Sequence, residues 1–177
     1  MTETIGLRQG TLRLAESDPG WPAAFAEEAG RIARALSGLD HRIEHIGSTS
    51  VPGLAAKPIL DIAMCAASVD HAEIAARLVG LGYIDRGERD GRLFIRLRDG
   101  DIRTHNLHLH RDGDAAWTRH VAFRDRLRAD ADLRAAYAAL KAEIVRRSGG
   151  RRAGYAEAKG PFVEAALSVT PPGDVPS

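Results

Sequence analysis

The chain has a single cysteine, Cys65, among its 177 residues, so no disulfide can form within it. Cys65 lies in the apolar run Ile62-Ala63-Met64-Cys65-Ala66, where a free thiol packs as a small hydrophobe. None of its sequence neighbours carries the positive charge that would make the thiol reactive. Long hydrophobic runs are also lacking: no segment approaches the ~20 apolar residues needed to cross a bilayer. The start, Met1-Thr2-Glu3-Thr4, has neither the basic residues nor the apolar stretch of a secretion signal. The expectation is a cytoplasmic protein with no membrane partner. Charge of one sign is missing too, since 25 Lys and Arg stand against 24 Asp and Glu for a formal net charge of +1. Such a balance supplies no electrostatic case for nucleic acid or an anionic membrane as the main partner. The local exception is Arg146, Arg147, Arg151 and Arg152 around Gly149-Gly150. It reads as the solvated end of a helix, with a phosphate-binding patch as the alternative.

What is present suffices for one domain with a real core, 44% of the residues being hydrophobic. The expected domain spans residues 1–168, and the Pro-rich tail 169–177 is expected to be disordered. Asp18-Pro19-Gly20-Trp21-Pro22 is a turn into a helix anchored by Trp21, with Phe25, Ala29, Ile32 and Leu36 on its buried face. A short strand follows at Arg42–Ile46, then a turn-rich loop, Gly47-Ser48-Thr49-Ser50-Val51-Pro52-Gly53-Leu54. The run Ile59–Met64 reads as a strand covered on both faces. Asp70 and Glu73 form a capping box for a helix that buries Ile74, Ala75, Leu78 and Val79 and stops at Gly80 and Gly82. Tyr83–Arg86, Leu93–Leu97 and Ile102–His110 are further strands, the last two joined by an Asp99-Gly100 hairpin turn. Three helices complete the chain, the last broken or restarted at Gly160-Pro161. The fold class is therefore α/β (α+β): a small mixed sheet flanked by helices, with a helical carboxy-terminal half. The oligomeric state is left open.

Three segments carry chemistry. Asp61 sits in the middle of an apolar strand, where a carboxylate costs several kcal/mol to desolvate unless something compensates. The compensator is a basic partner, a set of backbone amides or a metal. Gly47-Ser48 suits phosphate oxygens, because glycine lets amides approach an anion and serine adds a donor. Ser50 and Lys57 in the same loop add a further donor and a charge. In Arg103-Thr104-His105-Asn106-Leu107-His108-Leu109-His110, alternation places Thr104, Asn106, His108 and His110 on one face and Arg103, His105, Leu107 and Leu109 on the other. The leucines mark the second face as buried, leaving His108 and His110 beside a polar pocket or solvent. Two histidines at that spacing suit a shared metal or a phosphate.

The stretch Glu44-His45-Ile46-Gly47-Ser48-Thr49-Ser50-Val51-Pro52-Gly53-Leu54-Ala55-Ala56-Lys57-Pro58-Ile59-Leu60-Asp61-Ile62 closely resembles the signature of the GrpB-like protein family. So do Arg103–Leu109, Phe123–Arg128, Tyr137–Lys141 and Tyr155–Lys159, and the likeness runs from about Leu12 to Leu167. The resemblance implies a nucleotidyltransferase fold. Within it, Gly47 and Ser48 would hold a nucleotide's triphosphate, helped by Ser50, Lys57 and Arg103, and Asp61 would bind a divalent metal. The reaction implied is attack of a small-molecule acceptor on the α-phosphate, with pyrophosphate leaving and the metal neutralising developing charge. The family's superfamily pattern is Asp-x-Asp, and here Ala63 stands at the second position. Glu44 is the candidate substitute, and His108 is the candidate for the place of a third carboxylate. The metal is Mg²⁺ or Mn²⁺, or Zn²⁺ where a nitrogen donor takes part. Two other functions compete: a catalytically weak or inactive module that binds a nucleotide or CoA-like phosphate, and a metal-dependent hydrolase built on His108 and His110.

Overall fold

The computed structural model describes residues 5–168; the expected disordered tail lies outside the described residues. In chain order the elements are β1 (Leu7–Arg8), α1 (Trp21–Ala35), β2 (His41–Ile46), β3 (Leu60–Ala66), α2 (His71–Gly80), β4 (Tyr83–Glu88), β5 (Arg92–Arg98), β6 (Ile102–Arg111), α3 (Ala115–Ala129), α4 (Ala131–Ser148) and α5 (Tyr155–Ser168). Five strands form a mixed sheet in the order β2-β3-β6-β5-β4, and β1 pairs with β6 at Arg103 and Ile102. Among the described residues only β3 and β6 run parallel, with Asp61 opposite Asn106 and Ala63 opposite His108. The Asp99-Gly100 turn forms as expected, both residues at positive φ, 52° and 74°.

One face of the sheet carries Ile62, Met64, Phe94, Leu107 and Leu109 and packs on Ile32 and Leu36 of the α1 segment and on Ile74 and Leu78 of α2. Removing that apolar area from water is the main force holding the two layers together. A buried polar group joins them as well. Glu28 of α1, 5% exposed, accepts hydrogen bonds from Arg31, Arg96 and the Tyr83 hydroxyl. Trp21, 1% exposed, packs with Ile5, Ala56 and Leu60 at the start of α1, the anchoring role expected of it. On the opposite face α3 packs on β2 and β3, and α4 and α5 pack on α3, so β3 is covered on both sides.

Four local expectations are corrected. Asp70 does not cap α2: it ends a 3-10 turn in right-handed helical geometry (φ −90°, ψ −9°), and its side chain makes no cap hydrogen bond. Val79 is 52% exposed, because α2 turns only Ile74, Ala75 and Leu78 to the sheet. α5 runs unbroken through Pro161. Gly160 has no Cβ to clash with the proline ring, and the hydrogen bond lost falls on the exposed Glu157 turn. Finally, a register shift between Arg96 and Leu97 leaves Thr104 as an extra residue on β6, with Leu97 opposite Arg103 and Arg96 opposite His105. The bulge breaks the alternation, so Arg103 joins Asn106 and His108 on the α3–α5 side instead of sharing the core face with Leu107.

Candidate functional site

At the end of β2 the chain turns through Gly47 into a 3-10 turn, Ser48–Ser50. Gly47 has φ 68° and ψ −174°, a state open to glycine and strained for other residues. Ser50 closes the turn by donating to the Gly47 carbonyl at 2.6 Å. Its hydroxyl is thus used within the turn, and Ser50 is not among the residues lining the cavity described below, contrary to its expected role as a phosphate donor. Ser48 does line that cavity. Lys141 of α4, 1% exposed, donates to Ser48 Oγ at 3.0 Å and to the Ala55 carbonyl. The Lys141 ammonium also lies 4.9 Å from the centre of the Tyr137 ring. The loop is thereby tied to a helix more than eighty residues away in sequence.

Asp61 stands opposite Ile46 on β2 and Asn106 on β6. Its Oδ1 accepts a hydrogen bond from Asn106 Nδ2 at 2.7 Å. Among the described residues no lysine or arginine nitrogen lies within ion-pair distance of it. The carboxylate instead borders a cavity of about 660 Å³ between the sheet and α3, α4 and α5, which Gly47 also lines. A structural ion pair would have left Asp61 locked and without a cavity, and neither is found.

That cavity is basic. Eight lysines and arginines line it against two carboxylates, Asp61 and Asp90. Four of the cations surround Asp61 electrostatically: Lys57, Arg103, Arg152 and Lys159. Among the described residues none of the four has a carboxylate within ion-pair distance. The Lys57 and Lys159 ammonium groups lie 4.9 and 4.4 Å from the centre of the Tyr155 ring, a cation–π pairing that holds two like charges near one aromatic. Arg103 Nε is buried with no hydrogen-bond partner among the described residues. Burial, reinforced by the neighbouring cations, pushes Lys57 down to about 8 and Arg103 down to about 10, and lowers Lys159. Burial also takes Lys141 down to about 7 and lowers Arg152. Each of these lowered values reflects first the burial of a cation, which the nearby negative charge does not offset.

The other sequence candidates separate. Lys57, Arg103 and His108 line the cavity; Glu44 and His110 do not. Glu44 is opposite Ala63, as a substitute carboxylate should be, but Arg124 Nη1 donates to it at 2.6 Å. His110 is 1% exposed, its Nδ1 3.3 Å from Asp114 Oδ2. Alternation predicts it beside a pocket or solvent, and the first turn of α3 covers it instead. The His108 and His110 rings stack at 6.2 Å, but only His108 lines the cavity, so the hydrolase expectation loses its histidine pair. His108 Nδ1 is 3.1 Å from the Asp90 carbonyl. His120 of α3 lies 5.3 Å from His108 between ring centres, and its Nε2 is 3.2 Å from Asp90 Oδ2. Among the described residues no group of three or more His, Cys, Asp or Glu side chains is placed to hold a metal. The donor at Asp61 is the one carboxylate oxygen not bonded to Asn106, and a methyl that cannot ligate stands where the second aspartate would be. That set fits a single hard cation shared with ligand phosphates, a mode open to Mg²⁺, and it does not fit a two-metal centre.

Sequence reasoning misses Asn106, Lys141, Arg152, Tyr155, Lys159 and His120 as members of the site. Asn106 lies within a segment that the sequence does mark, in register with Asp61. Arg152 reads in the sequence as part of a basic helix end, with a phosphate-binding patch as the alternative. Lys159 closes one of the segments that carry the family resemblance, but nothing local ties it to Asp61.

The chain matches the GrpB protein family over residues 11–168. It is 37% identical over 156 residues to a UPF0157 protein of Streptomyces coelicolor, an alignment covering 88% of this chain and 82% of that one. The crystal structure of the conserved protein GrpB from Enterococcus faecalis is similar with a TM-score of 0.75 at 29% identity, covering 88% of this chain and 97% of that one. The Cid1 poly(U) polymerase, solved with Mg 3′-dATP, is similar in fold alone. Its TM-score is 0.54 at 14% identity, over 82% of this chain and 49% of that one. The fold is thus nucleotidyltransferase-like, and with nearly the whole of the described chain matched, this protein belongs to the GrpB family.

Proposed function

We propose that the cavity binds a nucleotide by its phosphates and that the protein transfers the nucleotidyl group to a small-molecule acceptor. The observation that carries this reading is the ring of cations without carboxylate partners, Lys57, Arg103, Arg152 and Lys159, set around Asp61 and the Gly47-Ser48 turn. A polyanion supplies the counter-charge they lack. The fold adds support, since the similar Cid1 polymerase was solved with a magnesium nucleotide. In this reading Ser48, fixed by Lys141, and the four cations hold the phosphates and stabilise charge that builds up on the departing pyrophosphate. The acceptor oxygen forms a bond to the α-phosphorus as the bond to the bridging oxygen of the β-phosphate breaks. His108, neutral because burial and His120 lower its pKa, is the cavity group suited to take the acceptor's proton. Asp61 would hold a divalent cation, Mg²⁺ or Mn²⁺, or Zn²⁺ if His108 joins, whose chemistry is to neutralise phosphate charge.

The test is thermal melting and calorimetry with ATP, GTP, CTP and UTP, followed by pyrophosphate release in the presence of pooled metabolites. The reading requires a rise in Tm with at least one triphosphate, lost in Arg152→Met. No change in Tm with any of the four would end it. A second reading, a binding module without turnover, is favoured by Ala63 in the place of a catalytic carboxylate. Binding with no pyrophosphate released under any metal would decide for it.

A further inference from the structure

We infer that this cavity binds a nucleoside triphosphate without needing a divalent cation, the four side-chain cations giving the ground-state neutralisation that bound metal would otherwise supply, so that a cation at Asp61 serves transfer and not binding. The inference rests on the phosphate-binding reading of the site and adds what the phosphates are held by.

Two carboxylates at the floor of a site repel a triphosphate, so such a site depends on metal ions to bridge like charges. Here Ala63, 0% exposed, has removed one of those carboxylates. The nearest acidic residue on the sheet, Glu44 opposite Ala63, is neutralised by Arg124. Asp61 remains, and one of its oxygens already accepts from Asn106. The cavity's other carboxylate, Asp90, lies 3.2 Å from His120 Nε2; facing Asp61 are Lys57, Arg103, Arg152 and Lys159, none of them ion-paired among the described residues. The potential facing an incoming phosphate is therefore positive with no metal bound. Geometry supports the same conclusion. Arg103 is carried to the cavity by the β6 bulge and keeps a buried Nε with no acceptor among the described residues. Lys57 and Lys159 are gathered on one Tyr155 ring. The buried Arg103 donor needs an acceptor, and a phosphate oxygen is the acceptor for which a guanidinium is shaped.

The experiment is calorimetric titration of ATP into the full chain in EDTA and in Mg²⁺, for the wild type, Lys159→Met, Lys159→Arg and Ala63→Asp. The expected wild-type affinities agree within about 3-fold in the two conditions, less than the ~1.4 kcal/mol that a tenfold change represents. Lys159→Met should weaken binding in EDTA by about tenfold and recover part of it with Mg²⁺, while Lys159→Arg stays near wild type. Ala63→Asp should make binding dependent on Mg²⁺. Wild-type binding that is tenfold or more weaker in EDTA would overturn the inference and leave the nucleotide reading intact. Absence of binding in both conditions would defeat the nucleotide reading itself. If Ala63→Asp does not fold, the wild-type comparison and the Lys159 pair still decide the question.

Discussion

A Cβ atom on Gly47 would stand 2.6 Å from Oδ2 of Asp61, closer than any side chain can be tolerated. The turn and the carboxylate are therefore packed as one unit, and the glycine is required by space as well as by its φ of 68°. Gly47→Ala is expected to cost roughly 2–4 kcal/mol, combining positive-φ strain with overpacking. Gly53 has a φ of 76° with nothing within 4 Å of its missing Cβ, so Gly53→Ala should cost only the strain, roughly 1 kcal/mol. Urea denaturation of the two variants checks this, and equal losses would show that Asp61 imposes no constraint.

Glu28 sets a second test. Its carboxylate accepts from Arg31 at 2.7 and 3.0 Å, from Arg96 at 2.8 Å and from Tyr83 at 2.8 Å, joining α1 to β4 and β5. Glu28→Ala leaves Arg96 and the Tyr83 hydroxyl facing each other without an acceptor, an expected loss of roughly 3–5 kcal/mol. Glu28→Gln keeps an acceptor and should lose less, roughly 1–3 kcal/mol. Stability of the alanine variant within about 1 kcal/mol of wild type would contradict the role given to this network.

Two buried histidines make stability depend on pH. Burial drives His45 and His105 from an ordinary 6.5 down to about 4. His45 is stacked on Phe25 at 4.6 Å, and His105 Nδ1 is 2.8 Å from Thr104 Oγ1. Between pH 6.5 and 4 the unfolded chain binds protons that the folded chain refuses. Their stabilising contribution is thus whole above about pH 6.5 and is lost progressively as pH falls to about 4. For each histidine, a tenfold weaker hold on the proton in the folded chain corresponds to ~1.4 kcal/mol. Urea melts across this range should show the decline, and His105→Gln should flatten it. A stability independent of pH in that window would refute the assignment.

Phosphate binding should itself take up protons. Lys57 is pushed down to about 8, chiefly by burial and then by Arg152, Lys159 and Arg103. A bound anion restores its pKa upward, so the complex holds a proton that the free site has begun to lose. Affinity for ATP is expected to fall as pH rises above about 8. Calorimetry about half a pH unit above that value, in buffers of different ionisation enthalpy, should show net proton uptake, and Lys57→Arg should abolish it. Uptake unchanged in that variant would move the effect to another group, Lys141 being the next candidate at about 7.

Local patterns are enough to find the five main strands: β3 is a continuous apolar run, β5 and β6 alternate on either side of the Asp99-Gly100 turn, and β2 and β4 are short segments ending near Gly47 and Gly87. The pairing of Gly47 with Asp61 is also legible, since both lie at the ends of two antiparallel neighbours joined by one loop. Where a local rule fails, a neighbour is responsible. Asp70 is drawn into a 3-10 turn, Ser50 is used to close the Gly47 turn, and Thr104 is squeezed out as a bulge that carries Arg103 to the opposite face.

By itself the sequence determined the family, the order of elements, the glycine–serine turn and the lone strand carboxylate, all of which depend on residues close together along the chain. Tertiary structure decided the electrostatics. A net charge of +1 over the whole chain becomes eight cations against two carboxylates in one cavity, because β4, β6, α3 and the α4–α5 region each bring basic side chains to the same side of the sheet. Charge adds up over distance in space, and composition counts it only over length.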